Sequence, residues 1–151
     1  MAVSSEQIKY DIFISCANED ANWVKAHLYT PLVQHHTVDG EPLRVFLKTE
    51  LEVGTNIIQA VNTAIRHSEM YMPVYSRAYF DDDISENELG QIRINFRRGK
   101  KLIPLLFDSE AENLIPGDLE GTQFLRIDDT SPWFEKLKLV LKIVQPDIEP
   151  P

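Results

Sequence analysis

The segment Ile84-Ser85-Glu86-Asn87-Glu88-Leu89 sets one carboxylate, Glu88, beside the apolar positions of a predicted helix. A carboxylate that faces a cleft there can stabilise the positive charge that develops on a sugar ring as a leaving group departs. The same residues also spell a Ser-x-x-Glu capping box. In that arrangement Ser85 accepts from the N–H of residue 88, and the Glu88 carboxylate accepts from the N–H of Ser85. Whether Glu88 faces a cleft or its own backbone therefore separates a catalytic from a structural reading. Other chemistry-bearing residues are weaker. Cys16 with His35 and His36 offers a thiol and a base, but a lone cysteine at a strand end is more often a small core residue. Asp81-Asp82-Asp83 lacks the spacing and the glycine of a calcium loop and reads as a solvated loop or helix N-terminal charge. Gly54, alone in its loop, is no phosphate-binding fingerprint.

The 151 residues, 43% apolar, suit one globular domain with one core. A net charge of −9 argues against a surface that tracks phosphates, so no nucleic-acid partner is expected. The one basic cluster, Arg93, Arg97, Arg98, Lys100 and Lys101, sits at a predicted helix end, where it complements the helix dipole. The single cysteine and the absence of an apolar run in Met1 to Lys9 fit a reducing, cytoplasmic setting. No stretch reaches the roughly 18 uninterrupted apolar residues of a membrane span.

Short apolar runs alternate with segments of helical period, the pattern of parallel strands joined by crossover helices. Ile8 to Ser15 reads as the first strand, and Asn18-Glu19-Asp20 offers caps for a helix carrying Trp23, Val24, His27 and Leu28. Pro31 predicts a kink or break near Thr30. After a loop at 37–42, Leu43 to Leu47 is a short second strand that runs into a polar loop ending at Gly54. Thr55 or Asn56 caps a helix with a core-facing stripe of Ile58, Val61 and Ile65. Met70 to Tyr75 and Lys101 to Phe107 are the third and fourth strands, with Pro73 and Pro104 inside them hinting at bulges. The helix of interest lies between them, buried along Leu89, Ile92 and Phe96. Gln123 to Ile127 is a fifth strand. Ser131-Pro132 then starts a last helix with Phe134, Leu137, Leu141 and Val144 on its inner face. Residues 1–145 read as the domain, and 146–151 as a proline-rich tail, a linker to a further domain.

On these residues the chain resembles the Toll/interleukin-1 receptor (TIR) domains. Tyr10-Asp11-Ile12-Phe13-Ile14-Ser15 is similar to their first signature box, Leu43 to Gly54 to the strand and loop of the second, and Pro132-Trp133-Phe134 to the aromatic third. The helix motif of enzymatic members, Trp-Cys-x-x-Glu-Leu, falls on residues 84–89, where Glu88 and Leu89 match and Ile84 and Ser85 replace the tryptophan and cysteine. The resemblance runs from Ile8 to Val144. It implies a flavodoxin-like fold of about five parallel strands with helices on both faces, binding its ligand beyond the carboxyl ends of the strands.

For function the resemblance implies two classes. Many TIR domains cleave NAD between nicotinamide and ribose, giving ADP-ribose or a cyclised relative, while others only associate with one another to pass on a signal. In the first class Glu88 is the catalytic residue. Ser15, Cys16, Ala17 and Asn18 border the nicotinamide end, and Phe46, Lys48 and Glu50 form the loop wall, with Ile84 and Ser85 beside them. NAD is then a consumed substrate, and no cofactor or metal is implied. Cys16 and Ala17 stand where many enzymatic members carry an aromatic and a basic residue. A site completed by a neighbouring copy follows from that departure, so the expected partners are other TIR domains and a tethered sensing domain, in a bacterial defence effector. A related nucleoside glycosyl-transferring enzyme is a third reading, since it too sets a glutamate near a ribose.

Overall fold

The alternation of apolar runs folds as the pattern predicts, and the computed structural model describes residues 10–96, 99–119, 123–127 and 132–144. Strand β1 (Tyr10–Ser15) lies second from the edge, between β3 (Val45–Phe46) and the central β4 (Ser68–Tyr75). The sheet continues through β6 (Leu105–Leu106) to β7 (Leu125–Arg126), and β5 (Lys101–Leu102) also pairs with β4. Every pairing in it is parallel. The central strands are covered on both faces, which is why their sequences read as near-continuous apolar runs rather than alternations.

Two apolar layers sandwich the sheet. On one face Ile12, Ile14, Met72, Val74 and Leu105 pack against the helical segment that follows β1 and against helix α6 (Trp133–Leu141). On the other, Phe13, Tyr71 and Leu106 pack against α3 (Ile57–Arg66) and α5 (Asp83–Phe96). Chain order along the sheet reverses between β1 and β4, because β3 was laid down on the far side of β1 before the chain crossed back. That reversal is the switch point of a flavodoxin-like sheet.

Several local expectations change. Pro31 does not break its helix: α1 (Ala21–Val24) passes through a π-helical turn (Lys25–Tyr29) into α2 (Thr30–Val33). A widened turn shifts the carbonyl pairing by one residue, and the proline stands just after it, in the first turn of α2. Neither Asn18 nor Asp20 makes a side-chain cap; Ala17 and Asp20 occupy the N-cap positions without such a bond. Asn56 does cap α3, accepting from the Gln59 N–H at 3.0 Å. Of its predicted stripe, Val61 and Ile65 are buried but Ile58 is 72% exposed, the first turn projecting past the core. β4 runs unbroken through Pro73, whose register partner Ser15 is the last residue of β1, so the absent donor falls where that ladder ends. Pro104, by contrast, splits the predicted fourth strand into β5 and β6.

Thr37, predicted as loop, joins His36 in a short strand, β2 (His36–Thr37), antiparallel to β8 (Ile143–Val144). Helix α6 ends at Leu141 on a left-handed Lys142 (φ 56°), so Val144 lies in β8, half exposed, and not on the helix face. The positions Ile8, Arg97, Arg98, Ser131 and 145–151 lie outside the described residues. Among those described, no helix is long and apolar enough to cross a membrane.

Candidate functional site

Glu88 sits one turn before the fully buried Ile92, so the side chain is carried onto the face of α5 that meets the sheet. A carboxylate placed there loses its water and must find partners within the protein. It finds two: Oε1 accepts from Ser15 Oγ at 2.9 Å, and Oε2 accepts from Lys48 Nζ at 3.0 Å. Only 3% of the Glu88 side chain is exposed, and 11% of Lys48. Ser15 is the last residue of β1, and Lys48 opens the 3-10 turn Lys48–Glu50 just beyond β3. The carboxylate thus occupies the carboxyl end of the two strands where the fold gathers ligands.

The capping box does not form. Helix α5 begins at Asp83, three residues earlier than the box requires, and Ser85 Oγ donates to Asp82 Oδ2 at 3.2 Å. A short helix, α4 (Arg77–Asp81), precedes it, capped by Ser76, which accepts from the Tyr79 N–H. It supplies the residue that sequence reasoning missed. Tyr79 is buried with its hydroxyl 2.9 Å from Ser15 Oγ. Ser15 has one hydroxyl proton, and the carboxylate can only accept, so the order is Tyr79 donating to Ser15 and Ser15 to Glu88. Burial first, then the nearby Glu88 charge, pushes the Tyr79 phenol well above its ordinary range against the opposing Ser15 bond, keeping it a donor. The available signal was Ser76 three residues ahead of Tyr79, the spacing of a helix N-cap.

The other predicted site residues separate. Cys16 and Ala17 are buried in the two core layers, on opposite faces of the chain end that follows β1. Phe46 is stacked on Phe13 with centroids 5.0 Å apart and planes 7° apart, so its ring belongs to the core and only borders a smaller cavity beside α3. Glu50 is held at the surface by Lys25, 3.2 Å away. Ser85 turns to Asp82, and Asn18 lines a separate crevice of about 700 Å³ with Asp20, Ser76, Phe107 and Asp108. The side chain of Ile84 lies outside the described residues. Among the described residues no group of three His, Cys, Asp or Glu is placed to hold a metal ion, the Asp81–Asp83 run included.

The thiol–imidazole pair does not form either. The charges that bear on Cys16 are Lys48, Glu88 and Asp20, while His35 is engaged with the Pro31 carbonyl at 2.7 Å and packs on Phe134. Burial pushes the Cys16 thiol up from 9.0 to about 12, with Lys48 opposing and Glu88 and Asp20 adding to the rise. A thiol held protonated is no nucleophile. Because the folded state keeps a proton that the unfolded state gives up above pH 9.0, the Cys16 contribution is present below that value and is lost as pH rises toward about 12. Urea midpoints measured at pH 8 and in the alkaline part of that window are expected to fall with pH, and Cys16→Ala is expected to flatten the fall. An unchanged slope in the variant removes this assignment.

A family model described as the TIR domain matches residues 12–141. The chain belongs to the TIR family. Among solved structures this TIR domain is similar to that of the Toll-related receptor TRR-2 from Hydra magnipapillata, at 22% identity and a TM-score of 0.68, covering 88% of this chain and 98% of that one. It is equally similar in shape to the TIR domains of the activated Roq1 resistosome that recognises the pathogen effector XopQ, at 18% identity and a TM-score of 0.68, with the same coverage of 88% and 98%. At such identities the likeness establishes the fold. No curated protein matches the chain. Function must therefore be argued from the site of this TIR domain itself.

Proposed function

We propose that this TIR domain is an NAD glycohydrolase that breaks the bond between nicotinamide and ribose, with Glu88 as its catalytic carboxylate. The observation that carries the reading is the buried Glu88 carboxylate, bonded by Ser15 and Lys48 at the carboxyl end of β1. A buried ion pair is an inefficient way to stabilise a core, since well-packed apolar side chains do as well or better. Where such a pair is kept at the ligand end of an α/β sheet, a functional role is favoured.

The chemistry asks for little else. The pair of electrons in the glycosidic bond passes to the ring nitrogen, neutralising the pyridinium as nicotinamide leaves, so no general acid is needed. The ribose is left with oxocarbenium character, which a fixed negative charge stabilises. Water then adds to the ribose and releases a proton, giving ADP-ribose; in a cyclising reaction an adenine nitrogen takes the place of water. Ser15, backed by Tyr79, holds one oxygen of Glu88 in place. Lys48 covers the other oxygen, and a substrate pyrophosphate can draw the ammonium off it, uncovering the carboxylate as the ligand arrives.

A second reading has its own support. At 3% exposure Glu88 is closed to a substrate as it stands, which suits a signalling domain that acts by TIR–TIR association alone. The two readings converge if association opens the site, as expected of a defence effector tethered through its tail to a sensor. Incubating the pure protein with NAD, and separately with a deoxynucleoside, tests all of this by the product released. Free nicotinamide with a rate that rises faster than linearly with protein concentration supports an assembling NAD glycohydrolase. Strict linearity down to nanomolar protein removes the assembly requirement. Free base from the deoxynucleoside alone moves the activity to nucleoside glycosyl transfer, and no release from either leaves the docking module.

A further inference from the structure

Helix α6 buries Leu137 against the sheet but leaves the end of its solvent side apolar. Leu139 is 79% exposed, Val140 55%, and Val144, beyond the turn in β8, 48%. Leu139 and Val144 line a groove of about 370 Å³ together with Glu135, Lys138 and the buried Ile143. A surface helix ordinarily turns polar side chains outward, so neighbouring exposed apolar groups at one helix end mark a face that something covers. The charge around them is mostly positive. Lys136 stands one turn ahead of Leu139 and Val140, Lys142 follows the helix, and the Glu135 carboxylate is already held by Lys138 at 3.1 Å.

We infer that the groove is a docking site for the chain's own next segment, Gln145-Pro146-Asp147-Ile148-Glu149-Pro150-Pro151, with Ile148 against Leu139 and the acidic side chains toward Lys136 and Lys142. Position argues for this occupant first. Val144 both lines the groove and ends β8, so the segment starts at the groove's edge, at an effective concentration on the order of millimolar. Charge argues for it second, since Asp147 and Glu149 are its only charged residues and the lysines face them with the opposite sign. Conformation is the third argument. Pro146 lacks the N–H that a longer β2–β8 ladder would use, which turns the chain off the strand pairing. The prolines favour an extended polyproline II path of about 3.1 Å per residue, so the segment reaches about 22 Å, more than the length of the nine-residue α6, roughly 14 Å. A chain already extended gives up little freedom on docking. Because α6 packs on the sheet face opposite α5, the assignment stands apart from the reaction proposed for Glu88.

NMR of the isotope-labelled full chain tests it. The Ile148 amide is expected to show an order parameter near that of rigid backbone, about 0.85, and the Ile148 methyls a nuclear Overhauser contact with those of Leu139. Leu139→Gln, at a site exposed enough to leave the fold intact, is expected to drop the Ile148 order parameter below about 0.6. Raised ionic strength is expected to lower it as well, by screening the lysines. Ile58→Gln, which alters an exposed apolar side chain on α3, is expected to change nothing. An Ile148 order parameter below about 0.6 in the unaltered chain overturns the assignment, as does order that survives Leu139→Gln or is lost in Ile58→Gln. A sample mixing two labelling patterns supplies the last arm: an Ile148–Leu139 contact found only between molecules also overturns it, and gives the groove to a second copy.

Discussion

Glu88→Gln is expected to lower nicotinamide release by about 100- to 1,000-fold while the protein still folds, the scale of losing one charge-stabilising group aimed at a transition state. The amide keeps the shape of the carboxylate and can still accept from Ser15, so the Tyr79–Ser15 link survives. What it loses is the charge. Its NH₂ group meets the Lys48 ammonium, two donors face to face, and the lysine must turn outward along its flexible stem to recover water. That rearrangement costs about 1–2 kcal/mol, visible as a modest fall in Tm. The two effects are measured separately, by product formation and by thermal unfolding. Turnover that persists in Glu88→Gln ends the catalytic reading and leaves this TIR domain as an association module.

Lys48→Met carries the largest expected loss of stability. The substitution retains most of the stem volume but strips the Glu88 carboxylate of its counter-charge in a place where only 3% of that side chain meets solvent. Breaking one side of a buried pair typically costs about 3–5 kcal/mol, because the remaining charge is neither hydrated nor paired. That is a large part of the roughly 5–15 kcal/mol that holds a domain folded. The double variant Lys48→Met/Glu88→Gln removes the stranded charge and is expected to be more stable than Lys48→Met alone, the coupling reporting the pair directly. Urea unfolding of the four proteins in the cycle decides it. A loss below about 1 kcal/mol for Lys48→Met, the range of surface pairs, means that the Lys48–Glu50 turn stands away from Glu88 in solution. The same variant bears on substrate binding: if Lys48 passes from carboxylate to pyrophosphate, its loss raises KM for NAD more than it lowers kcat.

Much of this architecture is legible along the chain because the physics that forms it is local. The run from Tyr10 to Ser15 and the run from Met70 to Tyr75 read as buried strands since both faces of a central parallel strand are covered. Asn56 caps α3 because a short polar side chain there reaches a free N–H of the first turn. Where a residue's state depends on what lies across the fold, local reading fails. Ile58 keeps helical spacing with Val61 yet is exposed, since the first turn of α3 projects past the core. Thr37 becomes strand only because β8 arrives beside it from the other end of the chain. Pro31 stays inside a helical run, standing in the first turn of α2 just after a π turn.

The amino-acid order by itself determined that Glu88 and Leu89 sit on the inner edge of a helix following the third strand, in a flavodoxin-like sheet. It left open which way the carboxylate points, because a capping box and a site carboxylate share the same spacing. Tertiary structure decided that. Ser15, Tyr79 and Lys48 stand 73, 9 and 40 positions from Glu88, and no periodicity of 2 or 3.6 residues links such distances. Only the crossover that lays β1 between β3 and β4 brings those strand ends under α5, and there the carboxylate, cut off from water, takes the hydroxyl and the ammonium that the sheet presents to it.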